Sequence, residues 1–248
     1  MSERTRRALR AAERAGIETV LVTGRPPRFV RRTAEGTGVA GPVICSNGAV
    51  VYDWLDDVIL HADTLSAPDV ARHVSALRAE MADIALGMEW GTSFSFEARF
   101  AQFLGRDDVA VVDDITTHPG PPHTVLAHKL LAIHPDGRSD ELAQAVQRAV
   151  GNHLSVTHSG LPFIEMGPPG VTKASGLARW TEERRIDATE VVAFGDMPND
   201  VPMLTWAGWG VAMANGHPAA LEAADEVTAA NVDDGVAQVI ERVLGAGP

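Results

Sequence analysis

The chain has 248 residues, a formal net charge of −12 and a hydrophobic content of 45%. This length suits one large domain or a core with an inserted module. The negative charge argues against nonspecific binding to nucleic acid, although local cations or a metal allow a small phosphorylated partner. No apolar run reaches the roughly 18 residues of a membrane span, and the single cysteine, Cys45, indicates a reducing, cytoplasmic setting.

The first 62 residues alternate between helical and strand-like patterns. They contain one predicted helix and three predicted strands, at residues 3–15, 19–23, 42–46 and 49–53. Ser2 is predicted to cap the helix and Gly16 to end it. Asn47-Gly48 predicts a tight turn between the last two strands.

A different pattern, typical of an α+β module, occupies the middle of the chain. Ser66 and Asp69 form a capping box before an apolar stripe at helical spacing, Val70, Val74, Leu77 and Met81. Strands are predicted at residues 84–90, 93–96, 130–134, 154–158 and 163–166, a loop at residues 118–123, and a helix at residues 140–150 with Ser139 as its cap.

Regular alternation of strand and helix resumes after Met166. Helices are predicted at residues 172–185, 199–205, 218–224 and 234–244, and strands at residues 190–194, 210–213 and 226–228. Such alternation at both ends of the chain predicts an α/β core with a parallel sheet and helices on both faces. We therefore assign residues 1–62 and 165–248 to the core and residues 63–164 to an inserted domain.

Polar residues follow three of the predicted core strands, and open parallel sheets bind ligands at the carboxyl ends of their strands. The three segments are Thr23-Gly24-Arg25, Ser46-Asn47-Gly48 and Gly195-Asp196-Met197-Pro198-Asn199-Asp200. Asp196 and Asp200 supply carboxylates for Mg²⁺, which prefers oxygen ligands and completes its shell with water and phosphate. The alternative is that both acids only favour the start of a helix.

Lys173 lies in the first turn of a predicted helix, where a cation opposes the helix dipole. The position suits an ammonium that meets a phosphate or a carboxylate, and a surface lysine directed into solvent is the alternative. The flanking sequence lacks the glycine and the hydroxyl residue of a phosphate-binding P-loop. Thr23 offers a hydroxyl, and Gly24 a backbone N–H, to a phosphoryl oxygen, although an ordinary turn is the usual explanation of a lone Thr-Gly pair.

Six segments carry a resemblance to one family: LVTGR (21–25), SNGA (46–49), GVTKASGL (170–177), GDMPNDVPML (195–204), GVAMAN (210–215) and DDGVA (233–237). In this order they resemble the haloacid dehalogenase (HAD) superfamily, specifically its Cof-type phosphatases with a large α/β cap. The likeness covers nearly the whole chain and is weakest in the inserted part. The acidic segment combined with the upstream lysine is specific, whereas neither alone would be.

The resemblance implies an HAD-like Rossmannoid core and a Mg²⁺-dependent hydrolysis of small phosphorylated metabolites. It implies that Thr23 binds the transferring phosphoryl group and that Lys173 neutralises it. Asp196 is then a catalytic Mg²⁺ ligand, and Asp200 a further ligand directly or through water. Phosphate or substrate contacts are implied for Gly24, Arg25, Asn47, Gly48 and Asn199.

The nucleophile of this family is an aspartate in an Asp-x-Asp-Gly-Thr segment, and these 248 residues contain no such segment. The resemblance places it on a strand between the one ending at Thr23 and the one ending near Phe194. We therefore expect the 248 residues to be catalytically incomplete. A longer natural chain, in which Met1 is a misassigned start, is expected to be active.

Two functions remain open at this point: a phosphatase that acts through an aspartyl-phosphate, and a noncatalytic protein that binds a phosphorylated metabolite. A dinucleotide-binding protein is disfavoured, because no Gly-x-Gly-x-x-Gly follows a predicted strand. The inserted part is expected to choose the substrate. Its residues Trp90, Phe94, Phe96 and His128 either line the cleft or fill the interior of that part.

Overall fold

The structure is a computed structural model that describes residues 1–100, 110–117, 126–135 and 138–245. The loop predicted at residues 118–123 lies outside the described residues. The helices are α1 (Glu3–Arg14), α2 (Pro27–Ala34), α3 (Ala67–Glu80), α4 (Ser139–Val150), α5 (Lys173–Arg184), α6 (Val201–Trp206), α7 (Pro218–Ala223) and α8 (Gly235–Val243). The strands are β1 (Val43–Cys45), β2 (Val50–Asp53), β3 (Val58–Ala62), β4 (Ala85–Trp90), β5 (Ser93–Glu97), β6 (Ala110–Val112), β7 (Ala127–Ile133), β8 (Ser155–Thr157), β9 (Ile164–Gly167), β10 (Val192–Gly195), β11 (Trp209–Met213) and β12 (Glu226–Thr228).

The core contains two three-stranded sheets joined by a helix. Strands β1, β2 and β3 pair antiparallel, whereas β10, β11 and β12 pair parallel. Leu177 and Trp180 of α5 share one apolar cluster with Ile44 of β1 and Ala193 of β10. Helix α5 therefore holds the two sheets together, and the α/β class predicted from the sequence is confirmed.

The strand predicted at residues 19–23 is reduced to a single parallel bridge, Val22 opposite Ile44. The amide of Thr23 donates to the carbonyl of Ile44 at 2.8 Å, and the amide of Ile44 donates to the carbonyl of Leu21 at 2.9 Å. Within the described ranges no strand pairs with the other side of this segment. Among these described residues it is therefore held from one side, and β10 likewise pairs with β11 alone.

The inserted module, defined here as α3, α4 and the six-stranded sheet β6-β5-β4-β7-β9-β8, lies between β3 and α5 along the chain. One face of its sheet, including Leu86 and Leu130, packs against Val74 of α3 and Val146 of α4. Side chains alternate across a strand, so the neighbours of these residues point to the opposite face. That second face carries the charged residues that reach the core.

The structure separates the four inserted-part residues that were open to two interpretations. Phe94 and Phe96 are buried in one cluster with other phenylalanines, and Trp90 packs against the helix-side cluster. The ring of His128 is buried and its Nε2 lies 3.1 Å from the carbonyl of Gly91. The alternative in which they fill the interior therefore describes Phe96 and His128. Trp90 is only half-buried, and the ring of Phe94 lies 4.5 Å from the guanidinium of Arg28 in the core.

Two of the three helix caps predicted from the sequence are present in the structure, and one is not. Ser2 and Ser66 accept hydrogen bonds from Thr5 and Asp69, as predicted. The prediction for Ser139 is wrong, because this residue opens α4 and its hydroxyl donates to the carbonyl of Leu161 at 3.1 Å. Among the described residues, none of the helices combines the length and the apolar character that crossing a bilayer requires.

Candidate active site

Lys173 is the first residue of α5, and its side chain is buried rather than directed into solvent. Thr172 caps the helix by accepting from the amide of Ser175 at 3.2 Å. The ammonium of Lys173 donates to Oδ1 of Asp200 at 2.5 Å. The alternative of a solvent-directed lysine is therefore wrong, and a carboxylate compensates the cation that opposes the helix dipole.

Asp200 folds back over the loop that carries Asp196. Its second oxygen, Oδ2, accepts from the amides of Asp196 and Met197, each at 2.9 Å. Gly195 makes this possible, because a Cβ there would lie 2.4 Å from the Cβ of Asp200. The loop between β10 and α6 is thus fixed by the same carboxylate that holds Lys173.

Asp196 is the carboxylate of this loop that is placed to take a metal. Its Oδ2 accepts from Nδ2 of Asn231 at 2.9 Å, and the amide of Asn231 donates to Oδ1 of Asn215 at 2.7 Å. No hydrogen bond to Oδ1 of Asp196 occurs within the described part of the chain. Both oxygens of Asp200, in contrast, already have partners.

Asp196 and Asp200 fit a Mg²⁺ site that has few ligands from the protein. Residues 1–100, 110–117, 126–135 and 138–245 contain no group of three or more His, Cys, Asp or Glu arranged around one point. Mg²⁺ is commonly held by one or two carboxylates, with water and phosphate completing the shell. Asp196 suits a direct ligand, whereas Asp200 suits contact through water.

Asn47 links the loop after Val22 to the loop after β10. Its backbone N–H donates to the carbonyl of Thr23 at 3.1 Å, and its side-chain Oδ1 accepts from Nδ2 of Asn199 at 3.0 Å. Asn47 is buried and has a left-handed backbone conformation, with φ of 57°. Asparagine tolerates this region better than most residues. Two strand-end loops therefore meet through a pair of side-chain amides.

Gly48 lets this turn approach the start of α5. Its φ is +98°, and a Cβ there would lie 2.0 Å from the carbonyl oxygen of Thr172. Gly24 is equally enclosed, because a Cβ there would lie 2.8 Å from Oδ1 of Asn47 and 3.1 Å from Nδ2 of Asn199. Both glycines thus keep the loops close enough to share one site.

Arg25 does not join this group. Its side chain is exposed and donates from Nη1 to Oγ1 of Thr33 on α2 at 3.0 Å. The remaining sequence-predicted residues converge around the loops just described: Thr23, Gly24, Asn47, Gly48, Lys173, Asp196, Asn199 and Asp200.

Four charged residues at the junction with the inserted module escaped the sequence analysis. Lys129 Nζ lies 3.3 Å from Oε2 of Glu89 and 3.9 Å from Oε2 of Glu165. Nη2 of Arg28 lies 2.9 Å from Oε1 of Glu89. Burial lowers the pKa of Lys129, but Glu165 and Glu89 outweigh this effect and raise it overall. Burial raises the pKa of Glu89, and Lys129 and Arg28 reverse the shift.

A cavity of about 200 Å³ lies between the inserted module and the core. Lys129 and Lys173 both line it, as do Ser46, Asn47 and Asn199. Oγ of Ser46 and Oδ1 of Asn199 are buried without a hydrogen-bond partner within the described part of the chain. Unpaired buried polar atoms of this kind are costly, so the cavity suits a polar ligand.

The order of these segments along the chain matches a known family. The family model described as haloacid dehalogenase-like hydrolase matches residues 1–240. The chain belongs to this family.

Several curated relatives of this HAD family chain are named as phosphatases. It is 28% identical to 5-amino-6-(5-phospho-D-ribitylamino)uracil phosphatase YcsE of Bacillus subtilis, over 97% of this chain and 87% of the relative. It is 27% identical to the pyridoxal phosphate phosphatase YbhA of Escherichia coli, over 94% of this chain and 88% of the relative.

Solved HAD structures share the fold. A protein from Streptococcus mutans UA159 superposes with a TM-score of 0.82 at 20% identity, covering 98% of this chain and 91% of that chain. A haloacid dehalogenase-like hydrolase from Bacteroides thetaiotaomicron gives a TM-score of 0.73 at 27% identity, covering 98% and 92%. The resemblance inferred from the sequence is therefore confirmed at the level of family and fold.

Proposed function

We propose that the protein is a Mg²⁺-dependent phosphatase of small phosphorylated metabolites that acts in the cytoplasm through an aspartyl-phosphate. One observation carries this proposal: the buried ammonium of Lys173 is held by Asp200, in the loop that also carries Asp196. A cation and a metal-binding carboxylate thus meet at strand ends. Phosphoryl transfer depends mainly on such positioning and charge compensation. Phosphatase names among the relatives support the substrate class.

Each residue has a defined part in this proposal. The hydroxyl of Thr23 and the amide of Gly24 bind phosphoryl oxygens, and Lys173 neutralises their charge. Mg²⁺, when bound at Asp196, supplies further positive charge to the phosphoryl group. Asp200 fixes Lys173 and the loop of Asp196. The inserted module is proposed to act as a cap over the core. Its sheet includes β9 (Ile164–Gly167), so the module extends three residues beyond the sequence-predicted boundary at residue 164, and the core consists of residues 1–62 and 168–248.

The attacking aspartate is proposed to lie outside these 248 residues. In the reaction its carboxylate oxygen bonds to phosphorus while the bond from phosphorus to the substrate oxygen breaks, and that oxygen takes up a proton and leaves as the alcohol. Water then attacks phosphorus and loses a proton, the bond to the aspartyl oxygen breaks, and inorganic phosphate and the free carboxylate are formed. Two features support this placement: the absence of Asp-x-Asp-Gly-Thr from the sequence, and the edges of the Val22 segment and of β10 that pair with no strand among the described residues. A strand between those edges would place a carboxylate near Thr23 and Asp196.

Hydrolysis of p-nitrophenyl phosphate with Mg²⁺ tests this proposal. The 248-residue chain should show only background turnover, and a chain extended through the upstream reading frame should be active. Asp196→Asn should abolish the activity of the extended chain. Turnover by the 248 residues that Asp196→Asn removes would contradict the placement of the nucleophile.

A noncatalytic phosphometabolite-binding protein is the second candidate. The absence of an Asp-x-Asp-Gly-Thr segment from these 248 residues favours it, because the phosphate-binding residues are then present without an attacking carboxylate. Binding of phosphate or vanadate by the extended chain, without turnover on a panel of metabolites, would support this alternative.

A further inference from the structure

Lysine is used at two positions of this chain, Lys129 and Lys173, whereas arginine occurs nineteen times. Both lysines are buried, at 2% and 7% exposure. Both also line the cavity between the inserted module and the core. A compact ammonium directs three donors from one point, which a planar guanidinium cannot do. The two lysines therefore mark sites where that geometry is needed, and the proposed function uses only Lys173.

Lys129 connects the inserted module to the loop that carries Thr23. It lies on β7 directly opposite Glu89 of β4. Its ammonium donates to the carbonyl of Gly24 and is also close to the carboxylates of Glu89 and Glu165. Two acceptors thus come from the inserted module and one from the core. The carbonyl of Gly24 is tied by this hydrogen bond to the position of the inserted module.

Glu165 makes a parallel contact to the neighbouring loop. Its Oε2 accepts from Nδ2 of Asn47, and its Oε1 accepts from Oγ of Ser159 at 3.2 Å. The backbone N–H of Asn47 donates to the carbonyl of Thr23. The loops after Val22 and after β1 are thus each held by one charged side chain of the inserted module.

We propose that Lys129 is a positioning residue, through which the inserted module fixes the Thr23-Gly24 loop for phosphate binding. Its ammonium donates to the carbonyl of Gly24 in the loop, so the role assigned to it is positioning and not catalysis. This inference rests on the proposed function, because it concerns the same phosphate site. It makes phosphate affinity in the core depend on contact with the inserted module.

A purely structural role is the competing explanation, because removing one partner of a buried charge pair is destabilising by itself. The charge-balanced double variant Lys129→Met/Glu89→Gln removes one charge of each sign and limits that loss. Glu97→Gln is a matched control. Glu97 is also a buried glutamate of the module sheet, and its hydrogen-bond and ion-pair partners among the described residues, Arg78 at 2.5 Å and the amide of Leu86, both lie in the module.

The first measurement uses the ligand-free protein. Amide hydrogen exchange follows Arg25, whose amide donates to Oγ1 of Thr23, and Asn47, whose amide donates to the carbonyl of Thr23. In the double variant both amides should exchange at least about tenfold faster than in wild type, while Glu97→Gln should leave them unchanged.

The second measurement uses inorganic phosphate with Mg²⁺ as the probe. In protein labelled with ¹⁵N-lysine, two side-chain signals are expected, and Lys129→Met assigns them. Phosphate should shift both signals, and the double variant should bind phosphate at least about tenfold more weakly, or about 1.4 kcal/mol.

The outcomes separate this inference from the proposed function. If phosphate shifts only the Lys173 signal and the double variant keeps its affinity within twofold, the positioning role is overturned and the proposed function stands. Faster exchange with unchanged affinity overturns it as well, and weaker affinity with unchanged exchange makes Lys129 a direct ligand instead. If phosphate shifts neither signal, the proposed function and this inference both fail.

Discussion

The ammonium of Lys173 and the carboxylate of Asp200 form a buried ion pair at 2.5 Å, and the second oxygen of Asp200 holds two backbone amides. Asp200→Ala leaves the ammonium buried without a partner, so we expect a loss of about 3–5 kcal/mol in the free energy of unfolding. The double variant Lys173→Met/Asp200→Leu should lose less than Asp200→Ala alone. Urea unfolding measures both.

An exposed ion pair serves as the control for this prediction. Arg99 and Asp83 lie 2.9 Å apart, and both side chains are more than 60% exposed. Asp83→Ala should change the free energy of unfolding by less than about 1 kcal/mol. Equal losses for Asp83→Ala and Asp200→Ala would contradict a special role for the buried pair.

Gly48→Ala should displace the start of α5. The added Cβ would meet the carbonyl oxygen of Thr172 at 2.0 Å, next to Lys173, in a backbone with φ of +98°. Gly38→Ala is the control, because Gly38 has a φ of +76° but no atom within 4 Å of the added Cβ. We expect Gly38→Ala to cost about 1 kcal/mol from backbone strain alone, and Gly48→Ala to cost clearly more. Thermal unfolding of both variants measures these losses of stability. An equal loss in Gly48→Ala and Gly38→Ala would contradict an effect of the close contact with Thr172.

Mg²⁺ binding should depend on Asp196 and on the residue that orients it. Wild-type protein should unfold at a higher temperature when Mg²⁺ is added, because a ligand of the folded state stabilises it. Asp196→Asn should abolish this shift, and Asn231→Ala should weaken Mg²⁺ binding about tenfold. Asp56→Asn, at an exposed acid in the turn between β2 and β3, should behave as wild type. A shift that survives Asp196→Asn would exclude this carboxylate as the ligand.

Much of the core site followed from local sequence signals. Lys173 stood out because a cation at a helix start opposes the dipole, and Asp196 and Asp200 stood out because both follow a buried strand. The strand predicted at residues 19–23 was only partly found. Apolar composition specifies an extended segment, but a full strand also needs pairing partners, and Val22 has one only at Ile44.

The charges at the module junction were not deduced from the sequence, although a signal was present. Glu89 and Glu165 each interrupt a predicted strand that is otherwise mainly apolar, and Lys129 directly precedes another. A charge within a buried strand must find a partner. The partner depends on the register between strands distant in the chain, such as Glu89 opposite Lys129, and that register comes from the assembled sheet.

His128 should make stability depend on pH at mildly acidic values. An unfolded histidine titrates near pH 6.5, whereas burial lowers the pKa of His128 to about 4, with Glu89 opposing the shift. Between these values the unfolded chain binds a proton that the folded protein excludes. Its contribution to stability is therefore lost progressively as the pH falls from about 6.5 to about 4, by up to about 3 kcal/mol.

His128→Gln isolates this contribution. Glutamine keeps an N–H for the carbonyl of Gly91 but does not titrate. The free energy of unfolding is measured in urea between pH 8 and pH 4. As the pH falls below 7 the variant should lose less of this free energy than wild type, and above pH 7 the two curves of free energy against pH should be parallel. His153→Gln, at an exposed position, should follow the wild-type curve. If His128→Gln and wild type lose stability in parallel, His128 does not carry the acid sensitivity.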